Sequence, residues 1–232
     1  MCDSAIDHWL DASTPPRILL VRHARRDSLR EASIAAAFEE PLNQAGRDHA
    51  RAFGARIRGQ GHVRLRHSPV PRCEETASLI DGQLRQAGED VATLGPWDQL
   101  GAPFLLDPER AMELFARLTM EGFVQSWLAG DLDRDIVQPH RQAAMTLLAA
   151  LLDQRRVDPG AALWIDVGHD LTLVTLLGLC FPVARHDFPW PGFLDGCMLW
   201  GSDPVLCQYH GETRPMPALD QHNPSTPGVE AC

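Results

Sequence analysis

The chain reads as an α/β three-layer sandwich, a mostly parallel central sheet flanked by helices. Three observations predict it. Apolar or alternating runs suited to buried strands recur at "RILLV" (17–21), "HVRLRHS" (62–68) and "AALWIDVG" (161–168). Each is followed by a segment with helical periodicity, and strands that alternate with helices build parallel sheets. The 232 residues, 44% hydrophobic and 22% charged, are enough for one core of ordinary composition.

In chain order, "STPP" (13–16) breaks the chain, so 1–16 is expected to be an N-terminal arm. After the first strand, "EASIAAAF" (31–38) reads as a short helix. "PLNQAGRDHARAFGARI" (41–57) is a longer one, with Ala45, Ala52, Phe53 and Ile57 on one face and "GQG" closing it. The second strand leads into "PRCEETASLIDGQLRQAG" (71–88), whose Cys73, Ala77, Ile80 and Leu84 form a stripe. Residues 91–138 are the least regular, with one helix from Pro108, and are expected to form a small lid insertion. Trp97, Phe104, Phe123 and Trp127 would line that lid or fill a subsidiary core. "QPHRQAAMTLLAALLDQRRVDPG" (138–160) reads as a strong helix followed by a turn, and "LTLVTLLGLC" (171–180) as the helix after the third strand. "GCMLWG" (196–201) and "VLCQYHG" (205–211) are late strands fit for a hairpin. The catalytic domain is expected over 17–212, and 213–232 is expected to be a flexible tail.

The formal charge of −10 argues against nucleic-acid binding, which calls for a basic surface. No apolar run is long enough to cross a membrane, and the acidic N-terminus lacks the pattern of a signal peptide, which points to a cytoplasmic protein. Six cysteines (Cys2, Cys73, Cys180, Cys197, Cys207, Cys232) have neither metal-site nor disulfide-framework spacing. No metal and no cofactor are expected. A homodimer is compatible with "LWIDV" and "CMLW" if those runs face a second copy rather than the core.

In this acidic chain, "LLVRHARRDS" (19–28) is an unexpected concentration of positive charge behind an apolar run. Arg22 and Arg26 flank His23, and guanidinium forks suit phosphate oxygens. Arg72 opens the helix after the second strand, where a cation works against the helix dipole unless an anion lies between them. His169 and Asp170 follow the third strand; Asp170 by itself reads as a helix cap. Ligands in open α/β sheets bind beyond the carboxyl ends of the strands. All three clusters fall at such ends. A single anion pocket accounts for them together.

These residues resemble the histidine phosphatase superfamily, whose fold is phosphoglycerate-mutase-like. Arg22-His23-Ala24 stands where the family has Arg-His-Gly, and Arg26 matches the further arginine of the acid-phosphatase branch. "SPVPRCEETA" (68–77) is similar to the family's Ser-x-x-x-Arg…Thr-Ala element, and Asn43 replaces threonine in a Leu-Thr-x-x-Gly helix entry. "GHDLT" looks like the acid-phosphatase His-Asp motif. The resemblance implies a metal-independent phosphatase acting on a small phosphomonoester, such as a sugar phosphate. His23 would form the phosphohistidine, Arg22, Arg26, Arg72 and His169 would hold the phosphate, and Asp170 would act as acid and then base. In the phosphoglycerate-mutase branch the acid lies mid-chain, where Asp98, Glu109 and Glu113 are candidates. Ala24 in place of glycine keeps open a mutase or diverted chemistry in the same pocket. A catalytically weak phosphate-binding regulatory module is the third reading. "RHDFPWPGF" (185–193), with His186 and Trp190, offers a second rim.

Overall fold

Strand β1 (Arg17–Arg22) organises the sheet because its side chains alternate between two cores. Ile18 and Leu20 enter one and Leu19 and Val21 the other, all fully buried. The computed structural model describes residues 15–27 and 39–219. The expected helix at 31–38, most of the N-terminal arm and the end of the tail (220–232) lie outside the described residues.

The other strands are β2 (His62–His67), β3 (Asp90–Pro96), β4 (Leu163–Gly168), β5 (Gly196–Trp200), β6 (Leu206–Tyr209) and β7 (Glu212–Pro215), in the spatial order β3-β2-β4-β1-β5-β6-β7. Pairings β3–β2, β2–β4 and β4–β1 are parallel, whereas β1–β5, β5–β6 and β6–β7 are antiparallel. The sheet is therefore mixed, parallel across β3-β2-β4-β1 and antiparallel in its late strands, and the α/β sandwich is as expected. Short connections impose the last two antiparallel pairings: between β6 and β7, His210 (φ 45°) and Gly211 (φ 80°) form a two-residue turn with both residues left-handed, the hairpin geometry that matches strand twist. Thr213 and Arg214 pair with Gln208 and Cys207, and Met216 is buried, so the ordered chain passes the expected boundary at 212. The runs at 163–167 and 197–200 are core, not an outward face.

Helices α1 (Gln44–Arg56) and α2 (Pro71–Gln86) cover one face of the sheet; α3 (Pro108–Ala129), α4 (His140–Val157) and α5 (Asp170–Leu177) cover the other. The α2 stripe is as expected, with Cys73, Ala77, Ile80 and Leu84 buried. On α1 the buried face is Gly46, Ala50, Phe53 and Gly54, while Ala45 and Ala52 are exposed. Glycines turn the helix. A Cβ at Gly46 would lie 2.0 Å from the Arg25 carbonyl oxygen, and one at Gly54 would lie 3.0 Å from the Ile80 Cα.

Residues 91–138 contribute to the sheet and to the helical layer on it. They supply the edge strand β3, a short 3₁₀ turn (Asp98–Leu100) and α3, which kinks at Thr119 (φ 60°). Phe104, Phe123 and Trp127 are buried in the second core, Phe104 stacking on Trp127 at 4.9 Å. Trp97 is half-buried under the Arg66 guanidinium. Among the described residues no helix is long and apolar enough to cross a membrane.

Candidate active site

Parallel register sets the site. Arg22 lies opposite Gly168 and His67 opposite Val167, so β1, β2 and β4 end together. The His23 amide then donates to the Gly168 carbonyl (2.9 Å) and the Ser68 amide to the Val167 carbonyl (2.8 Å). His23, Ser68 and His169 are thereby delivered to one end of the sheet. Pro71 at the first position of α2 starts a helix whose second residue, Arg72, faces both histidines.

The hydrogen bonds assign both imidazole tautomers. His23 Nδ1 lies 2.8 Å from the Ala24 carbonyl oxygen, which can only accept, so Nδ1 carries the proton. Nε2 presents its lone pair and receives Arg72 Nε at 3.0 Å. Arg72 also donates to His169 Nδ1 (3.4 Å), which leaves the proton on His169 Nε2 to be donated to Ser68 Oγ at 2.9 Å. Burial, the neighbouring imidazole of His169 and the Arg72 guanidinium push His23 down to about 2. Burial and then Arg72 push His169 down to about 3. Both rings are neutral at neutral pH.

Arg22 is held on three sides. It pairs with Asp170 Oδ2 at 3.1 Å, donates to the Pro191 carbonyl at 2.6 Å and lies 4.4 Å over the Phe193 ring. Arg26 is half-buried, donates to the Asp27 carbonyl, and is near enough for its charge to lower Arg22, Arg72 and His169. The Nε groups of Arg22 and Arg26 are buried and meet no acceptor among the described residues. The cluster thus holds more donors than the described residues satisfy, as an anion pocket does.

Asp170 occupies the first turn of α5 and works in two directions. Oδ1 accepts from the Leu171 amide at 2.9 Å, as a helix-start carboxylate does; Oδ2 faces Arg22 and Trp190 Nε1, the latter at 3.3 Å. Asp98, Glu109 and Glu113 are exposed. Gly101, at the end of the 3₁₀ turn that Asp98 opens, lies beside Ser68.

The supporting contacts come from residues that the sequence marks only as motif letters. Thr76 Oγ1 accepts from the Ala24 amide (3.0 Å) and donates to the Arg72 carbonyl (2.7 Å), tying the two arginine-bearing segments together. Asn43 Oδ1 caps α1 by accepting from the Gly46 amide, and the Asn43 amide donates to the Arg25 carbonyl. Ala24 is fully buried in the core beneath α1 and α2, and its φ is not positive, so the methyl that replaces the family's hydrogen is accommodated. Phe193 was not foreseen. It lies 5.7 Å from the His23 ring as well as under Arg22, in a Pro-Gly loop that carries no pattern. Trp190 reaches the site from the expected rim, whereas His186 is exposed.

Residues 18–98 match the model of the histidine phosphatase superfamily (branch 1). Over that stretch the chain is similar to histidine phosphatase superfamily sequences. The match takes in Arg22, His23, Arg26 and Arg72; the meeting of His169 and Asp170 with them comes from the fold. The matching model is that of branch 1, and His169 and Asp170, which carry the acid-phosphatase likeness, lie beyond the matched residues. The fold is phosphoglycerate-mutase-like. It is similar to the phosphoglycerate mutase of Bacillus anthracis str. Sterne, with a TM-score of 0.52 at 14% identity over 88% of this chain and 92% of that one. Bacillus stearothermophilus YhfR gives 0.54 at 18% identity over 86% and 94%. A mycobacterial glucosyl-3-phosphoglycerate phosphatase gives 0.50 at 18% identity over 79% and 89%. Identities this low establish the architecture alone. No curated protein matches the chain.

Proposed function

We propose that the protein is a metal-independent phosphatase that hydrolyses a small phosphomonoester through a phosphohistidine on His23. One observation carries this reading: a neutral imidazole of fixed tautomer turns its free lone pair toward a guanidinium in a donor-rich pocket. A phosphoryl group that replaces this contact sits in front of a nucleophile that needs no deprotonation. Nε2 attacks phosphorus and the bond to the leaving oxygen breaks. Arg22, Arg26 and Arg72 stabilise the equatorial oxygens, where charge spreads in a loose transition state. His169 has both nitrogens engaged, so its part is to steady Arg72 as much as to touch phosphate. Asp170 gives a proton to the leaving oxygen, then takes one from the water that attacks phosphorus and releases His23. The acidic surface and the free thiols Cys73, Cys180, Cys197 and Cys207 fit a protein of the reducing cytoplasm.

The test is turnover of para-nitrophenyl phosphate and a panel of sugar phosphates in EDTA. Phosphate release that falls by roughly 10³-fold or more in His23→Ala, with loss of acid-labile phosphate on the quenched protein, is the expected result. Asp170→Asn should lower kcat by about 10²–10⁴-fold. If Asp98→Asn is the damaging change instead, the acid is mid-chain. Phosphoryl shifts within one substrate without phosphate release would make the protein a mutase. Tight phosphate binding without turnover would make it a binding module.

A further inference from the structure

Outside this site the fold gathers three cysteines and a methionine that lie far apart in the sequence. Cys207 on β6 pairs opposite Leu199 on β5, which puts Cys197, two residues along β5, on the same side of the sheet. Cys197 and Cys207 are fully buried in the second core together with Met216. Cys180, in the turn after α5, packs on the same cluster but is half exposed. Its Sγ meets Met216 Sδ at 3.3 Å, and the Cys207 thiol interacts with those of both Cys180 and Cys197. Among the described residues no group of three or more such side chains is placed to hold a metal ion. The chemistry left to the cluster is that of thiols.

We propose that Cys180 and Cys207 are a thiol-oxidation site that closes to a disulfide on exposure to hydroperoxides. Geometry selects this pair. Cys197 and Cys207 are diagonal neighbours on adjacent strands, with a typical Cα separation of about 7–8 Å. A disulfide spans about 4.4–6.8 Å, so that pair cannot close without moving the sheet. Cys180 lies off the sheet, in the turn after α5, outside the strand ladder that fixes Cys197 and Cys207. It is also the thiol of the three that solvent reaches, whereas burial and its sulfur neighbours hold Cys207 in the thiol form.

The step balances with the peroxide as oxidant. Cys180 sulfur attacks the O–O bond, forming a sulfenic acid and releasing the peroxide's other oxygen as an alcohol, or as water from hydrogen peroxide. Cys207 sulfur then attacks the sulfenic sulfur, the S–OH bond breaks, and hydroxide leaves as water with the Cys207 proton. The two thiols lose two electrons, which reduce the O–O bond.

The bridge would fasten the root of the segment that reaches the active site. Arg214 already donates to the Cys180 carbonyl and covers Phe181. Tyr209, two residues beyond Cys207, stacks on Phe188 and donates to the Pro189 carbonyl at 2.6 Å. The next residues, Trp190, Pro191 and Phe193, touch Asp170, Arg22 and His23.

The test is peptide mapping of the full chain under non-reducing conditions after treatment of the reduced protein with stoichiometric hydrogen peroxide. A Cys180–Cys207 peptide should dominate, with the chain about 2 Da lighter and dithiothreitol restoring it. Cys180→Ser, a half-exposed change, should cut the bridged yield at least about ten-fold, and Cys2→Ser should leave it unchanged. The proposal is overturned if the wild-type bridge maps to Cys2 or Cys232. It is equally overturned if Cys180 is recovered as thiol or sulfinic acid while Cys207 stays reduced.

Discussion

Thr76 fixes where His23 points. Its hydroxyl takes the Ala24 amide and gives its proton to the Arg72 carbonyl, so one oxygen couples the nucleophile segment to the phosphate-binding helix. Thr76→Val keeps the shape and leaves the buried Ala24 amide without an acceptor. Urea denaturation should show a loss of about 1–3 kcal/mol, and Thr76→Ser should recover most of it. An unchanged midpoint would mean that the bond contributes nothing. At this scale the sequence exposed the charged residues well: Arg22, His23, Arg72, His169 and Asp170 do meet, because their charge at strand ends is legible as types and positions. Their working partners were not. Which nitrogen of an imidazole is protonated depends on a carbonyl or hydroxyl brought by another segment. Phe193 was hidden for the same reason, since a phenylalanine in a Pro-Gly loop has no period to betray what it covers.

Gly46 sets the seat of α1. Its missing side chain lets the helix N-terminus close on the Arg25 carbonyl, immediately beside Arg26. In Gly46→Ala a methyl would have to occupy space 2.0 Å from that oxygen, so helix or arginine loop must give way. We expect a loss of about 1–3 kcal/mol by chemical denaturation, together with weaker phosphate binding. Gly82→Ala, in open space on α2, should gain stability or leave it level. The same glycine explains why the α1 stripe held at Phe53 and Ile57 but not at Ala45 and Ala52: apolar side chains mark a buried face, but close packing can be made by having none. β3 was missed because it is an edge strand in which only Val91 is buried, leaving no alternation to read. β7 was missed because its stability comes from backbone pairing to β6, which composition does not record. Strands with both faces covered, β1 and β4, were plain.

The molecule as a whole carries opposing proton linkages. His23 and His169 are held at about 2 and about 3 against an ordinary 6.5. Below 6.5 an unfolded chain protonates both while the native protein does not, so stability is full above that pH and falls as pH drops toward 3. Asp166 acts the other way. Burial raises it from 3.8 to about 6, so across that window the native state keeps a proton that the unfolded chain has released, and its contribution falls as pH rises. Burial lowers His140 as well, so three histidines act against one aspartate and stability should fall on acidification between about pH 6 and pH 4. Urea midpoints across that range should fall in this direction, and Asp166→Asn should steepen the fall; a flat profile would contradict the burial of the rings. The Arg22–Asp170 pair bears on the same balance of charge. A protein of net charge −10 keeps a carboxylate of its own seated on the arginine that the proposed substrate needs. In the proposed cycle an arriving dianion must evict this internal placeholder, which swings free still tethered to Trp190, and its return helps expel the phosphate at the end. Singly charged inorganic anions, too weak to dislodge it, would find the seat taken.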